Sequence, residues 1–406
     1  MSKEDLLIER LVNRIQNANT DILKVIGNSI NKIGKLKPSD IYLIQQQLKY
    51  GENLEKIIKI LDKMTMLNRK DIVDILEAVA KKDQEFAKVY YEAKNKIYIP
   101  FEENISLQQK LTEIKNVTLE AYRNISSTNN LIYLDRFGNK ISKPIVQAYW
   151  QVIDDAVINV SMGKETFQEA MKKQIRMLAS NGIQSIEDSS GRKMRLDSAI
   201  RMNMQDALKE MTIAQQEIIG EQFDYDAMEV SVHEYPAPDH EDIQGHIFNL
   251  DNWKLLQDYT YIGEIKDING KTYLRDGGNP IRPIGVLNCR HSGYATVKGV
   301  KPRYSQEQLN EINKNNKKGF KFDGKEYTMY EGTQLQRQME LEMRKTKDIK
   351  DMAVASGEDN AKEVIEQSNK KLRQLSSKYT ELCRLSGLTP YRERARIVRI
   401  SDVMWK

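Results

Sequence analysis

Met228-Glu229-Val230-Ser231-Val232 is the stretch that decides the fold class, because its apolar and polar side chains alternate as in a half-buried β-strand. The same region contains Asn269-Gly270, a dipeptide typical of tight β-hairpins. Residues 226–300 are the main part of the chain with such patterning, and helical patterns dominate elsewhere. We therefore predict a mainly α fold with a small α+β module and with long helices at both ends.

An N-terminal helix is predicted over about residues 4–33, where apolar side chains recur at alternating steps of three and four. The residues that carry this spacing are Ile8, Leu11, Ile15, Ala18, Ile22 and Val25. Such a helix either packs on its neighbours within the chain or forms an arm that packs against another subunit. The spacing by itself leaves both interpretations open.

Two more long helices are predicted near the C-terminus, at about residues 333–355 and 358–386. Gly387 ends the second helix and Pro390 prevents it from resuming. Because the break between the two helices is short, we expect them to form a hairpin.

Changes in composition along the chain predict three regions. Residues 1–130 form an N-terminal helical region, and residues 131–300 form the α+β core module. Residues 301–406 begin with a polar linker that includes Asn313 to Lys318, continue into the helical hairpin and end in a basic tail.

The composition excludes several classes of protein. Of the 406 residues, 40% are hydrophobic and 30% are charged, which is typical of a globular chain. No apolar run approaches the roughly 18 residues of a membrane span, and the charged N-terminus lacks the apolar segment of a secretory signal. The cysteines Cys289 and Cys383 are too few for a disulfide scaffold and favour folding in a reducing cytoplasm. The net charge of +5 permits contact with nucleic acid but does not argue for it.

The histidines are clustered. All four lie between residues 233 and 291, and Cys289 lies in the same window. Three explanations are open: a polar core held by buried histidines, a zinc site that uses imidazole and thiolate ligands, and a catalytic Cys289 with a histidine base. Cys289-Arg290-His291 would supply two zinc ligands at C-x-H spacing, which is looser than the usual paired-cysteine motifs.

We predict that four of these side chains converge in one small polar centre, which joins the strand after residue 228 to the turn before residue 291. These four are His233, His240, Cys289 and His291. A short segment with few large apolar residues cannot form much of a core, so convergent hydrogen bonds or a metal ion would hold it together. His246 follows a Gln-Gly step, and we expect it to be exposed and outside the centre.

Three segments of this window resemble the phage minor capsid protein 2 family, which is related to the Mu-F-type head-morphogenesis proteins. The segments are His233-Glu234-Tyr235-Pro236-Ala237-Pro238-Asp239-His240, Gln244-Gly245-His246-Ile247-Phe248 and Gly285-Val286-Leu287-Asn288-Cys289-Arg290-His291-Ser292. The resemblance covers roughly residues 131–400. Tyr235 and Ala237 stand where the family usually has Gly and Arg, and Ile243 replaces an aromatic residue.

The resemblance implies a structural minor capsid protein of a tailed bacteriophage. It implies association with the portal and the inside of the head during assembly in the host cytoplasm, with portal, scaffold or major capsid protein as partners. No membrane partner is expected. A different class of function remains as the alternative, which is a metal-dependent or Cys/His hydrolase carried by the virion.

A basic tail follows Pro390 and contains four arginines, which are Arg392, Arg394, Arg396 and Arg399. A protein near the portal lies next to packaged DNA, and arginine binds phosphate well. These four residues are therefore candidates for contact with DNA or with a protein partner.

Overall fold

The computed structural model describes residues 3–34, 45, 48–49, 51–127, 129–135, 137–162, 167–184, 194–275, 281–285, 289–297 and 302–395. Their α-helices are α1 (Lys3–Gly34), α2 (Glu52–Ala93), α3 (Ile105–Ser127), α4 (Ile145–Met162), α5 (Phe167–Asn181), α6 (Leu196–Gln222), α7 (Leu250–Gln257), α8 (Gln306–Asn316), α9 (Met329–Ala355) and α10 (Glu358–Ser386). Short 3-10 helices occupy Phe101–Glu103 and Arg392–Ala395. The predicted mainly α fold, with long helices at both ends, is confirmed.

The strands of the described residues are short and pair antiparallel. They are β1 (Asn130–Leu134), β2 (Lys140–Pro144), β3 (Ile183–Gln184), β4 (Ala227–Val230), β5 (Ile247–Asn249), β6 (Gly263–Lys266), β7 (Thr272–Arg275), β8 (Gly293–Thr296), β9 (Phe320–Phe322) and β10 (Lys325–Tyr327). Two three-stranded sheets have the orders β2-β1-β3 and β5-β4-β8, and two hairpins pair β6 with β7 and β9 with β10.

The hairpin predicted at Asn269-Gly270 joins β6 to β7. Gly270 has a φ of 85°, a conformation that glycine adopts without the steric cost of a Cβ. Oδ1 of Asp267 accepts hydrogen bonds from the backbone N–H groups of Asn269 and Lys271, both at 2.9 Å. A local turn signature was therefore sufficient to predict this element.

Helix α1 lies inside the protein and is not an exposed arm. Its apolar side chains are almost completely buried, with Leu11 and Ile22 at 0% exposure. It packs against α2, α4, α5, α6 and α9, so its partners surround it. The interpretation as a helix packed within the chain is confirmed, and the arm interpretation is wrong, because the chain itself covers the apolar face of the helix.

Three hydrophobic cores hold the described residues together. The first contains apolar residues from Ile8 to Val364, and therefore draws on all three regions predicted from composition. The second core surrounds β4 and β8 and includes Trp253. The third lies between the C-terminal helices and the β9–β10 hairpin. In the described residues, the first core therefore joins all three predicted regions, whereas the third core lies wholly within residues 301–406.

A set of buried charged side chains joins α1 to α6 and α9. Arg195 donates from Nε to Oδ1 of Asp197 and from Nη2 to Oδ2 of Asp348, both at 3.3 Å. Gln16 of α1 donates to Oδ2 of Asp197 at 3.0 Å. Glu9, also on α1, accepts two hydrogen bonds from the guanidinium of Arg201 on α6. These bonds supply partners for ionised groups that burial would otherwise strongly destabilise.

The C-terminal hairpin predicted from the sequence consists of α9 and α10. Thr328 and Glu331 form a capping box at the start of α9, and Gly387 ends α10 with a φ of 74°.

The prediction of a polar linker at Asn313 to Lys318 is wrong for its first part, because α8 extends to Asn316. Ser305 caps this helix, and its Leu309 is only 5% exposed, so a buried apolar contact stabilises a helix in a polar stretch.

Candidate functional site

The central sheet of the α+β module brings two separated segments to one place. Val230 at the end of β4 pairs with Gly293 at the start of β8. The antiparallel register continues in a hydrogen bond from the backbone N–H of Ser231 to the carbonyl of Ser292, at 2.8 Å. The residues that follow β4 therefore run beside those that precede β8, which places His233 near His291.

The segment after β4 forms a loop that returns to the same strand. The backbone N–H of Gly245 donates to the carbonyl of Val230, and that of Val230 donates to the carbonyl of His246, both at 2.9 Å. Gly245 has a φ of 73°, and Leu309 of α8 packs directly over it, so no side chain would fit there. This closed loop holds His240 over the start of β8.

Cys289, His240 and His291 form the centre of the site. Sγ of Cys289 lies 3.4 Å from Nδ1 of His240 and 3.6 Å from Nδ1 of His291. The backbone N–H of His291 also donates to this sulfur, at 3.3 Å. All three side chains are buried, with exposures of 3% for Cys289 and 1% for each histidine.

Oxygen acceptors orient both imidazoles from the far side. Nε2 of His240 lies 2.8 Å from the backbone carbonyl oxygen of Arg282, and Nε2 of His291 lies 3.4 Å from Oε1 of Gln244. Asp239 in turn accepts hydrogen bonds from the Arg282 side chain at 2.6 and 3.0 Å, which fixes the position of that carbonyl. Each imidazole therefore donates from Nε2 and presents Nδ1 to the sulfur.

His233 lies at the edge of the centre. Its ring centroid is 4.3 Å from that of His291, and its Nδ1 lies 3.0 Å from the carbonyl oxygen of Glu234. The closely spaced ligand atoms of the described residues belong to His240, Cys289 and His291, which lie within 4.8 Å of one another. The structure thus brings the four predicted side chains together, with His233 beside the other three.

His246 lies outside the centre, as expected, but it is not exposed. Its Nδ1 is 2.7 Å from Oδ2 of Asp267, and its side chain retains 16% exposure. The carboxylate that organises the β6–β7 turn therefore also binds this histidine, which explains its burial.

Burial and hydrogen bonding act in opposite directions on the ionisable groups of the site. Burial lowers the pKa of His233 to about 4 and that of His291 to about 2, because both imidazolium forms lose solvation. Burial also opposes the charged forms of His240 and Cys289. Their mutual hydrogen bond outweighs burial, so the pKa of His240 is raised and that of the Cys289 thiol is lowered. Each member of this pair therefore stabilises the charged form of the other.

A cleft of about 490 Å³ opens over the centre. Its walls include residues of α9 and of the segment after α10, and four arginines line it: Arg282, Arg290, Arg337 and Arg394. Arg337 lines the cleft, and loss of solvation of its guanidinium together with the neighbouring arginines lowers its pKa to about 10. Arg282 and Arg394 are paired with Asp239 and Glu9, but the charged residues of the lining still include four arginines and only one carboxylate, that of Glu234. The lining therefore carries an excess of positive charge and is suited to anionic groups.

The arginines of the predicted basic tail differ in their surroundings. Arg394 forms an ion pair with Glu9 of α1, with Nε 2.9 Å from Oε1, and its guanidinium lies 4.3 Å from the Tyr391 ring centroid. It is therefore an internal contact and not a free cation for DNA. Arg392 is exposed, with Nη2 3.4 Å from Oγ1 of Thr380. Arg396 and Arg399 lie outside the described residues.

Sequence reasoning missed Gln244, Arg282 and Arg337 as site residues. Gln244 belongs to the Gln-Gly step that is part of the family resemblance, but that motif does not predict its contact with His291. Arg282 and Arg337 reach the site from later segments of the chain. No local spacing predicts such contacts, because they depend on how distant segments pack.

The sequence profile that describes phage minor capsid protein 2 matches residues 2–383. The chain belongs to this family. As a phage minor capsid protein it is a structural component of a virion, and its family includes the N-terminal helices as well as the core module. No curated protein and no solved structure gives a significant match to the chain. Among the described helices of this minor capsid protein, none has the length and apolar character needed to cross a membrane.

Proposed function

We propose that this minor capsid protein is built into the head of a tailed phage at the portal, on the inside of the capsid, during assembly in the host cytoplasm. The observation that carries the proposal is the family match over residues 2–383. The motifs around His240 and Cys289 support it, since they are the part of the sequence that resembles head-morphogenesis proteins. We propose a structural and not an enzymatic role.

Partner contacts are proposed for the outer face of the β6–β7 hairpin. Ile262 and Leu274 are 73% and 53% exposed, and the nearby Tyr259 is 59% exposed. Leu274 pairs with Glu264 in the hairpin, and Ile262 directly precedes β6, two positions before Glu264. Adjacent exposed apolar side chains are typical of surfaces that another protein covers.

Mass spectrometry of purified particles tests the virion role. We expect the protein in wild-type particles and its loss from heads assembled without the portal protein, with the major capsid protein retained in both as the control. Absence from wild-type particles would refute the structural role. Equal amounts with and without portal would refute only the portal association.

The double substitution Ile262→Glu/Leu274→Glu tests the contact face. We expect the variant to fold but to be lost from particles, whereas Ile97→Glu/Val117→Glu, which alters exposed apolar residues elsewhere, should be incorporated normally. Normal incorporation of the hairpin variant would exclude this face as the contact.

A hydrolase carried by the virion is kept as a second candidate because Cys289 and His240 lie 3.4 Å apart below a cleft. A cysteine nucleophile needs such a base. Particles that carry Cys289→Ser should then contain normal amounts of the protein and still lose cleavage of peptidoglycan or DNA, whereas Cys383→Ser particles should keep it. Equal activity in the two variants, or none in wild type, would exclude the hydrolase.

A further inference from the structure

We propose that Cys289, His240 and His291 bind a zinc ion, and that the fourth coordination position faces the cleft. These three side chains offer one sulfur and two nitrogen atoms within 4.8 Å of one another. All three are buried, so the ligand set is held in place before an ion arrives. The proposal concerns the chemistry of the centre and does not depend on the role of the protein in the virion.

The two sulfur–nitrogen distances match the corresponding edges of a tetrahedral zinc site. With Zn–S of ~2.3 Å and Zn–N of ~2.0–2.1 Å, a tetrahedral angle places sulfur and nitrogen about 3.5 Å apart. The two sulfur–nitrogen distances in the protein are 3.4 and 3.6 Å. Each histidine therefore already lies at the sulfur–nitrogen spacing that a shared ion requires.

Hydrogen bonding alone leaves one of the two nitrogens without a partner. Both imidazoles direct Nε2 at oxygen acceptors, and so both direct Nδ1 at the same sulfur. The Cys289–His240 pair holds a single proton between sulfur and nitrogen, whether it is written as thiol and imidazole or as thiolate and imidazolium. Nδ1 of His291 then faces the sulfur, 3.6 Å away, with no proton between them. A cation would accept the lone pairs of all three atoms.

The surrounding residues are those of a metal site. Histidine ligands commonly donate their second ring N–H to a carbonyl or carboxylate, which fixes the tautomer and the ring orientation. The carbonyl of Arg282 does this for His240, and the side-chain oxygen of Gln244 does it for His291. A thiolate with two imidazoles favours zinc over magnesium or calcium, which prefer oxygen ligands.

The fourth ligand comes from the cleft. His233 lies beside His291, but its Nδ1 is bound to the carbonyl of Glu234 and its ring is outside the group of closely spaced ligand atoms. The cleft is bounded by all three proposed ligands and by Arg290 and Arg337. A water molecule or an anionic group can therefore complete a tetrahedral site.

Spectroscopy of the wild-type protein tests the proposal without relying on variants. Metal-free protein titrated with Co²⁺ should develop a sulfur-to-cobalt charge-transfer band together with the visible bands of tetrahedral cobalt, and both should saturate at one ion per chain. Protein purified with added zinc should contain one zinc per chain by elemental analysis. A wild-type protein that binds neither ion stoichiometrically would overturn the proposal.

Substitutions identify the ligands, and the chain offers matched controls. Cys289→Ser should abolish the charge-transfer band, while Cys383→Ser, at the second buried cysteine, should keep it. His240→Ala and His291→Ala should each weaken Co²⁺ binding by more than about 100-fold. Loss of a residue that only hydrogen-bonds to a ligand costs at most roughly 100-fold. His246→Ala should leave affinity unchanged. Equal losses at His246 and His240 would contradict the ligand set.

Two further variants separate ligands from positioning residues. Gln244→Leu should keep the charge-transfer band but weaken Co²⁺ binding by about 10–100-fold, because His291 loses its oxygen acceptor. His233→Ala should retain one tightly bound ion per chain. Loss of the ion in His233→Ala, at the level seen for His240→Ala, would show that the fourth ligand is His233 and that the position facing the cleft is not open.

Discussion

Asn19 of α1 donates a hydrogen bond from Nδ2 to Oδ2 of Asp348 on α9, at 3.0 Å, across 329 positions of sequence. The same carboxylate accepts from Oγ1 of Thr20 at 2.8 Å and from Nη2 of Arg195 at 3.3 Å. Asp348 is only 2% exposed, so these donors replace the water that it lost on folding. One buried carboxylate thus joins the beginning of the chain to its C-terminal hairpin.

Asp348→Ala should strongly destabilise the protein at pH 7.5. Burial raises the pKa of Asp348 to about 6 against the opposing charge of Arg195, so the carboxylate is ionised at that pH. Its removal leaves Arg195 with one buried anionic partner fewer, and a broken buried ion pair costs about 3–5 kcal/mol. The free energy of unfolding from urea denaturation measures the effect.

Asp351→Ala is the matched control for Asp348. Asp351 lies on the same helix and pairs with Lys24 of α1 at 3.4 Å, but both side chains are about one-third exposed. A pair of this kind contributes about 0–1 kcal/mol, because solvent screens it. Equal destabilisation by the two substitutions would contradict the assigned importance of the buried centre.

Acid should weaken the attachment of α1 through Glu9. Burial opposes ionisation, but the hydrogen bond and charge of Arg201, with Arg394 and Arg344, outweigh it and lower the pKa of Glu9 below 4.5. A group whose folded pKa is lowered stabilises the protein above its unfolded pKa, and this contribution is lost as the pH falls through the folded value. Stability should therefore decrease below about pH 4.5.

The variant Glu9→Gln isolates this contribution. It should be less stable than wild type at pH 7, and the difference should shrink as the pH falls towards 3, as measured by urea midpoints. Glu52→Gln is the control, since Glu52 forms its ion pair with exposed Lys56 on the surface of α2. A constant difference between wild type and Glu9→Gln at all pH values would exclude the ionisation of Glu9 as the cause.

Removal of residues 1–33 should leave a chain that does not fold, since α1 supplies much of the first core. A smaller change tests the same point. Ile22→Ala, at a side chain with 0% exposure, should cost about 2–5 kcal/mol through reduced burial and the resulting cavity. Ile58→Ala on α2, where the side chain is 42% exposed, should stay within about 0.5 kcal/mol of wild type. A soluble, folded truncated protein would contradict this account.

DNA contact by the tail predicts a specific dependence on salt. We expect Arg392, Arg396 and Arg399, without the internally paired Arg394, to bind phosphates. Their replacement by alanine should reduce the slope of log affinity against log salt by about 0.9 for each phosphate that an arginine no longer neutralises. Binding is measured by fluorescence anisotropy between low and moderate salt.

A control for the tail is available on α10, where Lys362, Lys370 and Arg373 are exposed. Replacing these three by alanine makes the same change in net charge. If both triple variants reduce the slope equally, net charge and not the tail accounts for binding, and the proposed contact is refuted.

Local sequence was sufficient to predict those helices whose first and last residues depend on neighbouring residues in the chain. The helices predicted at 333–355 and 358–386 are α9 (Met329–Ala355) and α10 (Glu358–Ser386), because apolar spacing and Gly387 act within a few residues. The same spacing in α1 predicted an apolar face but not what covers it. The polar composition before Lys318 failed to predict α8, because one buried contact at Leu309 outweighed it.

For the site, the sequence by itself determined that histidines and a cysteine gather in one module, since all lie within one short stretch of the chain. Only the tertiary structure decided which of them meet. His240 and Cys289 are 49 positions apart, and the pairing of β4 with β8 and the loop closed at Gly245 bring them to 3.4 Å. Such distances depend on the packing of distant segments, which residue spacing along the chain does not encode.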